Sequence, residues 1–309
     1  MATATAGRRP GRRRPARAAE TRRTPDQLLT AAAATAGSVA RDGAPDGPAA
    51  AALAAAASLR AGVDLGTASC VLVVLAVAPD GTEHPVWIDA SPSGALADGV
   101  VVDFARATAT VRRLRERAEA GLGVGLGAGV PVATAHPPCI PAADAKACSY
   151  VCETAGFDRV ALVDEVAAAQ RTLGIRDGVV VDVGGGSTGV GVYRDGALVA
   201  LDDRAGGGHH LDLVLAGGLG IAVEEAEPYK RAHPDEAFPL LVPGLQRIAE
   251  NVRALTVGAE DLPLHLAGGA LMIAGAQRVL ATYLERTVVT HPHALLITPI
   301  GIARAEVPA

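Results

Sequence analysis

The sequence predicts a duplicated α/β fold in which two lobes, each a mixed sheet with flanking helices, enclose a cleft. Three observations predict it. The segment GVDLGTASCVLVVLAVAPDG at residues 62–81 returns as VVDVGGGSTGVGVYRDG at residues 180–196. Both copies run apolar strand, Asp, glycine turn, hydroxyl residue, apolar strand and Asp-Gly turn. Around the copies, short apolar strands alternate with longer helical segments. The longest apolar run, Cys70 to Ala78, suits a buried strand and falls far short of the roughly 20 residues that a membrane-spanning helix needs. No membrane span is expected.

Residues 1–60 are rich in Ala, Arg, Pro and Gly and lack sustained apolar periodicity, which predicts a basic, largely disordered extension, dispensable for ligand binding. One short helix is expected inside it, from Pro25 to about Ala36, with Thr24 as its N-cap and Pro25 at its first position. Arg22 and Arg23 ahead of this run have the outline of a twin-arginine export signal, but Asp26 and the weakly apolar, Ala-dominated stretch argue against export.

From Ala61 the texture changes. AGVDLGTASCVLVVLAV reads as a strand, a tight turn at Gly66 and a returning strand; Asp80-Gly81 turns the chain into HPVWIDA, and DGVVVDF reads as one more strand. Ala105 to Leu122 reads as a helix, VPVATA as a short buried strand, Ala142 to Ala155 as a helix, RVALVD as a strand and Glu165 to Leu173 as a helix. The second copy then repeats the opening, and LAGGALMIAGAQRVL supplies a strand, Gly268-Gly269 and a helix starting near Ala270. The expected division is a first lobe over residues 61–179 and a second over 180–309, with the C-terminal helix returning to the first.

The formal net charge of −5 averages two unlike parts. Up to Arg60, ten arginines face four acids, giving +6; the rest of the chain carries −11. A basic leader can attract nucleic acid, anionic lipid or an acidic partner. With no aromatic residue before Trp87, the stacking half of a nucleic-acid surface is missing, so nucleic acid is not an expected partner. Four cysteines in a chain of 309 residues do not make a disulfide scaffold and predict reduced thiols in a cytoplasmic protein. Cys148 and Cys152 stand at i and i+4, with Cys139 a third candidate, and His209, His210, His291 and His293 follow, but no metal-ligand spacing links them.

The paired turns carry the chemistry. Asp64 ends a strand, and Gly66 with Thr67 lets backbone amides approach an anion. Asp182 precedes Gly184, Gly185, Gly186, Ser187 and Thr188, a second amide-rich nest. Asp64 and Asp182 are suited to hold Mg2+, largely through water, because that ion gives up its waters reluctantly. A structural hairpin explains either turn alone; two in matching context facing one cleft point to a polyphosphate. Gly268-Gly269 permits close approach of a flat ring or phosphate, or else close strand–helix packing. Glu165, following the strand that ends at Asp164, can order an attacking water, or else serves only as a helix N-terminal acid favoured by the dipole.

The ordered set GVDLGTAS, LVDEVAAAQ, VVVDVGGGSTG, EEAEPYK, LAGGALMIAGAQ and TPIGIA resembles the five nucleotide-binding segments of the actin-like ATPase superfamily, together with its glutamate–lysine helix. That superfamily includes actin, the seventy-kilodalton heat-shock chaperones, bacterial shape-determining filaments and sugar kinases. Within it, DGVVVDF, AGGGHHLDLVLAGG, AVEEAEPYKRAHP and LLITPIGIARAE are most similar to the EutJ family of ethanolamine utilization proteins. The resemblance spans about Ala61 to Glu306. It implies five-stranded sheets in both lobes and ATP with Mg2+ in the cleft. It places Asp64, Gly66 and Thr67 in the first phosphate segment, Gly184 to Thr188 in the second and Asp182 near the metal. It further places Glu165 beside the hydrolytic water, Glu227 and Lys230 along ribose and base, Gly268 and Gly269 at the adenosine, and TPIGIA in the hinge.

Two departures bear on these expectations. The first connecting segment of the superfamily continues Glu-Pro-Thr-Ala, but here Val166 and Ala167 replace Pro and Thr, so nucleotide binding with weak ATP hydrolysis is expected. Pro228 lies between Glu227 and Lys230 and is expected to kink or shorten their helix unless it falls in the first turn. The resemblance implies a nucleotide-driven chaperone or reactivating factor in ethanolamine catabolism, with the ammonia-lyase or a bacterial microcompartment as client and a place in the cytoplasm, in association with that compartment. With Ala309 just past the hinge segment, no appended peptide-binding domain is expected, so a client would dock on the ATPase body or the leader. The alternatives are a filament-forming cytoskeletal protein, which would self-associate, and a small-molecule kinase, for which no acceptor-binding insertion stands out between the repeats.

Overall fold

The computed structural model describes residues 23–97 and 99–307. Most of the arginine run of the leader, residues 8–22, lies outside the described residues. The chain then forms α1 (Pro25–Asp42) and α2 (Gly47–Ala54) before the first strand begins at Ser58. Thr24 accepts from the Gln27 amide while the Gln27 side chain accepts from the Thr24 amide, a reciprocal capping box that fixes the start of α1. Gly43, in the left-handed region at φ 67°, ends it. The helix is therefore six residues longer than its composition suggested, and residues 24–60 are not an extension. Leu28, Leu29, Ala32 and Val39 are buried, and the Thr35 hydroxyl donates to the Pro85 carbonyl at 3.1 Å. Alanine-rich sequence obscured this face because a stripe of small residues gives little amphipathic contrast.

The first lobe is built from β1 (Ser58–Leu65), β2 (Ser69–Val77), β3 (Glu83–Pro92), the two-residue strands β4 (Leu96–Ala97) and β5 (Val100–Val101), α3 (Phe104–Leu122), β6 (Val132–His136), α4 (Ala142–Thr154), β7 (Val160–Asp164) and α5 (Glu165–Leu173). Its five-stranded sheet has the order β3-β2-β1-β6-β7, antiparallel through the first three strands and parallel from β1 onward. DGVVVDF does not join this sheet; Val100–Val101 pairs only with Leu96–Ala97, as a small ribbon.

The second lobe repeats the order. It contains β8 (Gly178–Val183), β9 (Ser187–Arg194), β10 (Ala197–Ala205), α6 (Gly208–Leu219), α7 (Val223–Ala232), α8 (Pro234–Leu255), β11 (Leu264–Ala267), α9 (Ala276–Leu284) and β12 (Val288–Val289), with α10 (Ile297–Ala303) closing the chain. Its sheet runs β10-β9-β8-β11-β12, again antiparallel for the hairpin strands and parallel beyond. Two independent sheets with one strand order are what a duplicated sequence unit produces. The helix expected near Ala270 starts at Ala276 instead, because residues 268–275 form turns, with Gly268 at φ 83° and Gly275 at φ 90°.

Three large cores, with a smaller cluster of Ala133, Ala135, Ala168, Ile302 and Ala305, hold the molecule. One fills the first lobe under α3 and α4, a second the other lobe under α6, α8 and α9. The third lies between the sheets, where α5 and α10 meet Val71, Val73 and Leu75 on one side and Val180, Tyr193 and Ala267 on the other, with Leu28, Leu29 and Ala32 of α1 joining them. Packing there is close enough to require glycine: a Cβ at Gly301 would collide with the Ala168 carbonyl, and one at Gly62 with the backbone of Ala303. Thus α10, the last helix in sequence, packs on β1 and α5 of the first lobe.

Candidate functional site

A cavity of about 840 Å³ opens between the lobes. β1 and β2 meet in it at Leu65–Ser69, and β8 and β9 at Gly184–Ser187, so the two copies of the repeated turn face one another across a single space. The approach is close: a Cβ on Gly185 would stand 3.2 Å from the Ala68 amide nitrogen and 3.3 Å from the Thr67 Cβ. The second turn is braced from behind, where the Gly208 and His209 amides donate to the Gly184 and Gly185 carbonyls at 2.9 and 2.8 Å.

Of the residues singled out in the sequence, Asp64, Gly66, Thr67, Glu165, Asp182, Gly184, Gly185, Gly186, Ser187, Glu227, Lys230, Gly268 and Gly269 all line this cavity. Thr188 does not. It is fully buried in β9, and its hydroxyl donates to the Gly206 carbonyl at 2.6 Å. Strand alternation accounts for this: Ser187 faces the cleft, so its neighbour faces the core.

The electrostatics of the floor are one-sided. Burial, with the neighbouring Asp182 charge, pushes the Asp64 carboxyl up to about 7. Burial likewise raises Asp182 to about 6, opposed by the Thr298 hydroxyl, which donates to its Oδ2 at 2.6 Å. Glu165 is raised well above the usual carboxylate range by burial and by Asp64, Asp182, Asp164 and Asp203. Among the described residues none of Asp64, Asp182 and Glu165 forms an ion pair within the chain. Uncompensated carboxylates at the bottom of a cleft form a donor set that fits a hard divalent cation. Their oxygens are not drawn into one tight cluster, which suits an ion held through water. Among the described residues, the set of three with ligand atoms within 4.8 Å of one another is elsewhere: Cys139, after β6, with Asp202 and Asp203 of β10. Cys148 and Cys152 are buried away from it in α4.

The cations of the lining, Lys230 and Arg231, are paired with acids. Lys230 sits on α7 with its Nζ 2.8 Å from Asp212 Oδ1 of α6 and in contact with Glu227 one turn earlier. Arg231 pairs with the same Glu227. Burial disfavours the charge on Glu227, yet Lys230 and Arg231 hold its carboxyl below the ordinary value. Pro228 does not end the helix; α7 continues past it to Ala232. Met272, Ile273 and Leu295 supply an apolar side to the cavity near these residues. Gly268 closes the floor: a Cβ there would overlap the Val183 carbonyl and come within 2.6 Å of Asp182 Oδ1.

Val166 and Ala167, which stand where a Pro-Thr pair was expected, have structural work. Val166 is fully buried and fills the space over Gly189 and Gly191 of β9, while the Ala167 amide donates to the Asp164 side chain that caps α5. Thr298 and Asp212 also line the cleft without having been singled out, as does His209, which was weighed only as a metal ligand. Thr298 was visible only as part of the TPIGIA segment, and its hydroxyl in an otherwise apolar helix was the available signal. Asp212 and His209 lie in AGGGHHLDL, where nothing local distinguishes them from exposed helix residues.

No family model matches the chain. Ethanolamine utilization protein EutJ of Salmonella typhimurium is 35% identical over 245 residues, covering 79% of this chain and 84% of that protein. The crystal structure of EutJ from Carboxydothermus hydrogenoformans superposes with a TM-score of 0.78 at 36% identity, over 90% of this chain and 97% of that one. MreB5 of Spiroplasma citri, solved bound to ADP, superposes with a TM-score of 0.63 over 79% of this chain and 95% of its own, at 16% identity, a likeness of fold alone.

Proposed function

Because this chain belongs to the EutJ family of ethanolamine utilization proteins, with the fold of the actin-like ATPases, we propose that it binds ATP with Mg2+ between its lobes and that nucleotide-dependent closure changes its affinity for a protein client. The observation that carries this reading is the meeting of both repeated glycine turns in one 840 Å³ cavity floored by uncompensated carboxylates. That volume falls within the range of small-molecule and cofactor sites.

Each wall has a distinct task. The Gly66 and Gly184 amides close the two turns on the Ser69 and Ser187 carbonyls at 3.0 and 3.2 Å, which leaves the backbone amides of Thr67, Gly185 and Gly186 to cradle the phosphates, with no side chain in the way at the glycines. Asp64 and Asp182 hold the cation, which neutralises phosphate charge when bound. Lys230, steadied by Glu227 and Asp212, faces the ribose, and Gly268–Gly269 with Met272 and Ile273 takes the base. Glu165 orients a water toward the terminal phosphate. It does so from a turn lacking the Pro-Thr pair, so turnover is slow and the protein acts as a switch, a chaperone or reactivating factor, more than as a fast ATPase.

The client is a protein of cytoplasmic ethanolamine catabolism, the ammonia-lyase or a microcompartment component. Among the described residues no helix is long and apolar enough to cross a membrane. The test is affinity capture with and without ATP from cells grown on ethanolamine, alongside light scattering of the purified protein. Nucleotide-dependent recovery of the ammonia-lyase or shell proteins supports the switch. Nucleotide-dependent scattering without a client supports the filament reading instead, and phosphorylation of a small alcohol the kinase reading.

A further inference from the structure

Residues 297 and 298 are bonded to opposite lobes. The Ile297 carbonyl accepts from the Thr172 hydroxyl of α5 at 2.7 Å, anchoring α10 to the first lobe, where Gly301 lies against Ala168 and Ala303 against Gly62. One residue on, the Thr298 hydroxyl reaches Asp182 of β8 in the second lobe at 2.6 Å. Both partners of this bond are buried, at 5% and 8% exposure. Its surroundings explain its value. The neighbours Ile297, Ile300, Ile302 and Ala303 are apolar and buried, so the helix packs without needing a hydroxyl. A helical threonine can satisfy itself on the carbonyl one turn back. Here that carbonyl, of Ala294, accepts instead from the Gly268 amide at 3.2 Å, and the hydroxyl is spent on a carboxylate across the hinge.

We propose that Thr298 is a positioning residue: the hinge helix uses its hydroxyl to hold the Asp182 carboxylate in the orientation that binds the cation of the nucleotide, tying ion binding in the cleft to the hinge. This rests on the nucleotide reading above. With Oδ2 held by Thr298, Oδ1 is left beside Gly268 in the lining of the cavity, and a shift of the carboxylate toward an ion is transmitted through one hydrogen bond to α10 and from there to α5 and β1.

The test is the Mg2+ dependence of binding of a fluorescent ATP analogue to the full chain, with an excess-chelator arm without metal. Thr298→Val keeps the shape and removes the donor. A hydrogen bond to a charged group contributes enough that its loss should raise the Mg2+ midpoint about tenfold. The loss should fall on the magnesium-dependent part of the affinity. Thr298→Ser, which keeps the hydroxyl, should restore the midpoint, and Thr298→Ala replaces the valine variant should that one fail to fold. The proposal is overturned by an unchanged midpoint in the variants lacking the hydroxyl, by Thr298→Ser behaving like them, or by an equal loss of affinity with and without metal. Wild-type protein that binds the analogue in neither buffer overturns the nucleotide reading and this proposal together, whereas wild-type binding with indifferent variants overturns this proposal alone.

Discussion

The Nδ1 of His291 lies 2.9 Å from the Oδ1 of Asp26, joining two residues 265 positions apart. Through it the first turn of α1 is tied to the second lobe, while the body of the same helix packs on β3 of the first. A helix that arises before the repeated unit thus braces both lobes from outside the cleft.

Leu29 on that helix is fully buried in the core shared by the lobes. Leu29→Ala should cost roughly 2–5 kcal/mol, read as a fall in the denaturant midpoint at unchanged slope. Removing residues 1–22 touches none of these contacts, whereas removing residues 1–55 takes them all. The longer truncation should therefore lower thermal stability and weaken nucleotide binding, contrary to the dispensable leader that composition suggested. An equally stable 56–309 fragment would show that α1 merely rests on the surface.

The carboxylates of the cleft give the ligand-free protein a definite pH dependence. Asp64 and Asp182 stand near 7 and 6 when folded against 3.8 as the ordinary value, and Glu165 is displaced the same way. The folded state therefore holds more protons than the unfolded chain from about pH 4 upward, so the contribution of these groups to stability falls as pH rises from about 4 through 6 and 7. Mg2+ binds the ionised forms, so magnesium-dependent stabilisation by nucleotide should grow over the same interval. Melting curves at pH 5.5, 6.5 and 7.5, with and without Mg·ATP, measure both slopes; Asp64→Asn should flatten the first. A ligand-free protein that becomes more stable toward pH 8 through these groups would contradict the assignment.

The repeat made the two sheets legible because continuous apolar runs, buried on both faces as β2 and β8, are interrupted sharply by glycine turns in both copies. The cleft was legible for the same reason: thirteen of the fourteen residues chosen from motif position line it. What escaped has physical causes. Thr188 stands apart from the other thirteen because strand alternation turns its side chain inward beside Ser187. The helix expected from about Ala270 begins at Ala276, because residues 270–275 form turns between Gly268 and Gly275, both at positive φ. Asp212 becomes a partner of Lys230 only when α6 and α7 are packed together, a tertiary fact with no local mark.

The role proposed for Glu165 can be tested by separating binding from turnover. Its carboxyl lies at the start of α5 on the cavity wall, close enough to Asp64 and Asp182 for all three charges to interact. Replacing it with Gln keeps the shape and removes an ionisable carboxyl from a mutually repulsive group, so Glu165→Gln should bind Mg·ATP at least as tightly as the wild type. Phosphate release should drop by about 10²-fold, the scale of a lost acid–base group. Tighter binding with unchanged release would assign the water to another residue.

Asp182 is bonded to Thr298 of α10 and is the proposed ligand of the cation, so its removal should be felt at both. At nucleotide concentrations a hundredfold above the dissociation constant, ligand linkage stabilises a protein by about 2.7 kcal/mol. In a chain of this size that corresponds to a rise of roughly 5 °C in melting temperature. Asp182→Ala should abolish this rise. The ligand-free melting temperature should change less, because the lost Thr298 bond is offset by relief of a buried, repelled charge. Gly268→Ala provides the complementary case. Its new methyl would meet the Val183 carbonyl and Asp182 Oδ1 at a backbone conformation of φ 83° that alanine adopts at a cost of about 1–3 kcal/mol. It should therefore lose stability and nucleotide response together, whereas Asp182→Ala loses mainly the response. If Asp182→Ala kept the full Mg·ATP rise, the cation would have to be held from the Asp64 side alone, and the Thr298 tie would reach no part of the ion site.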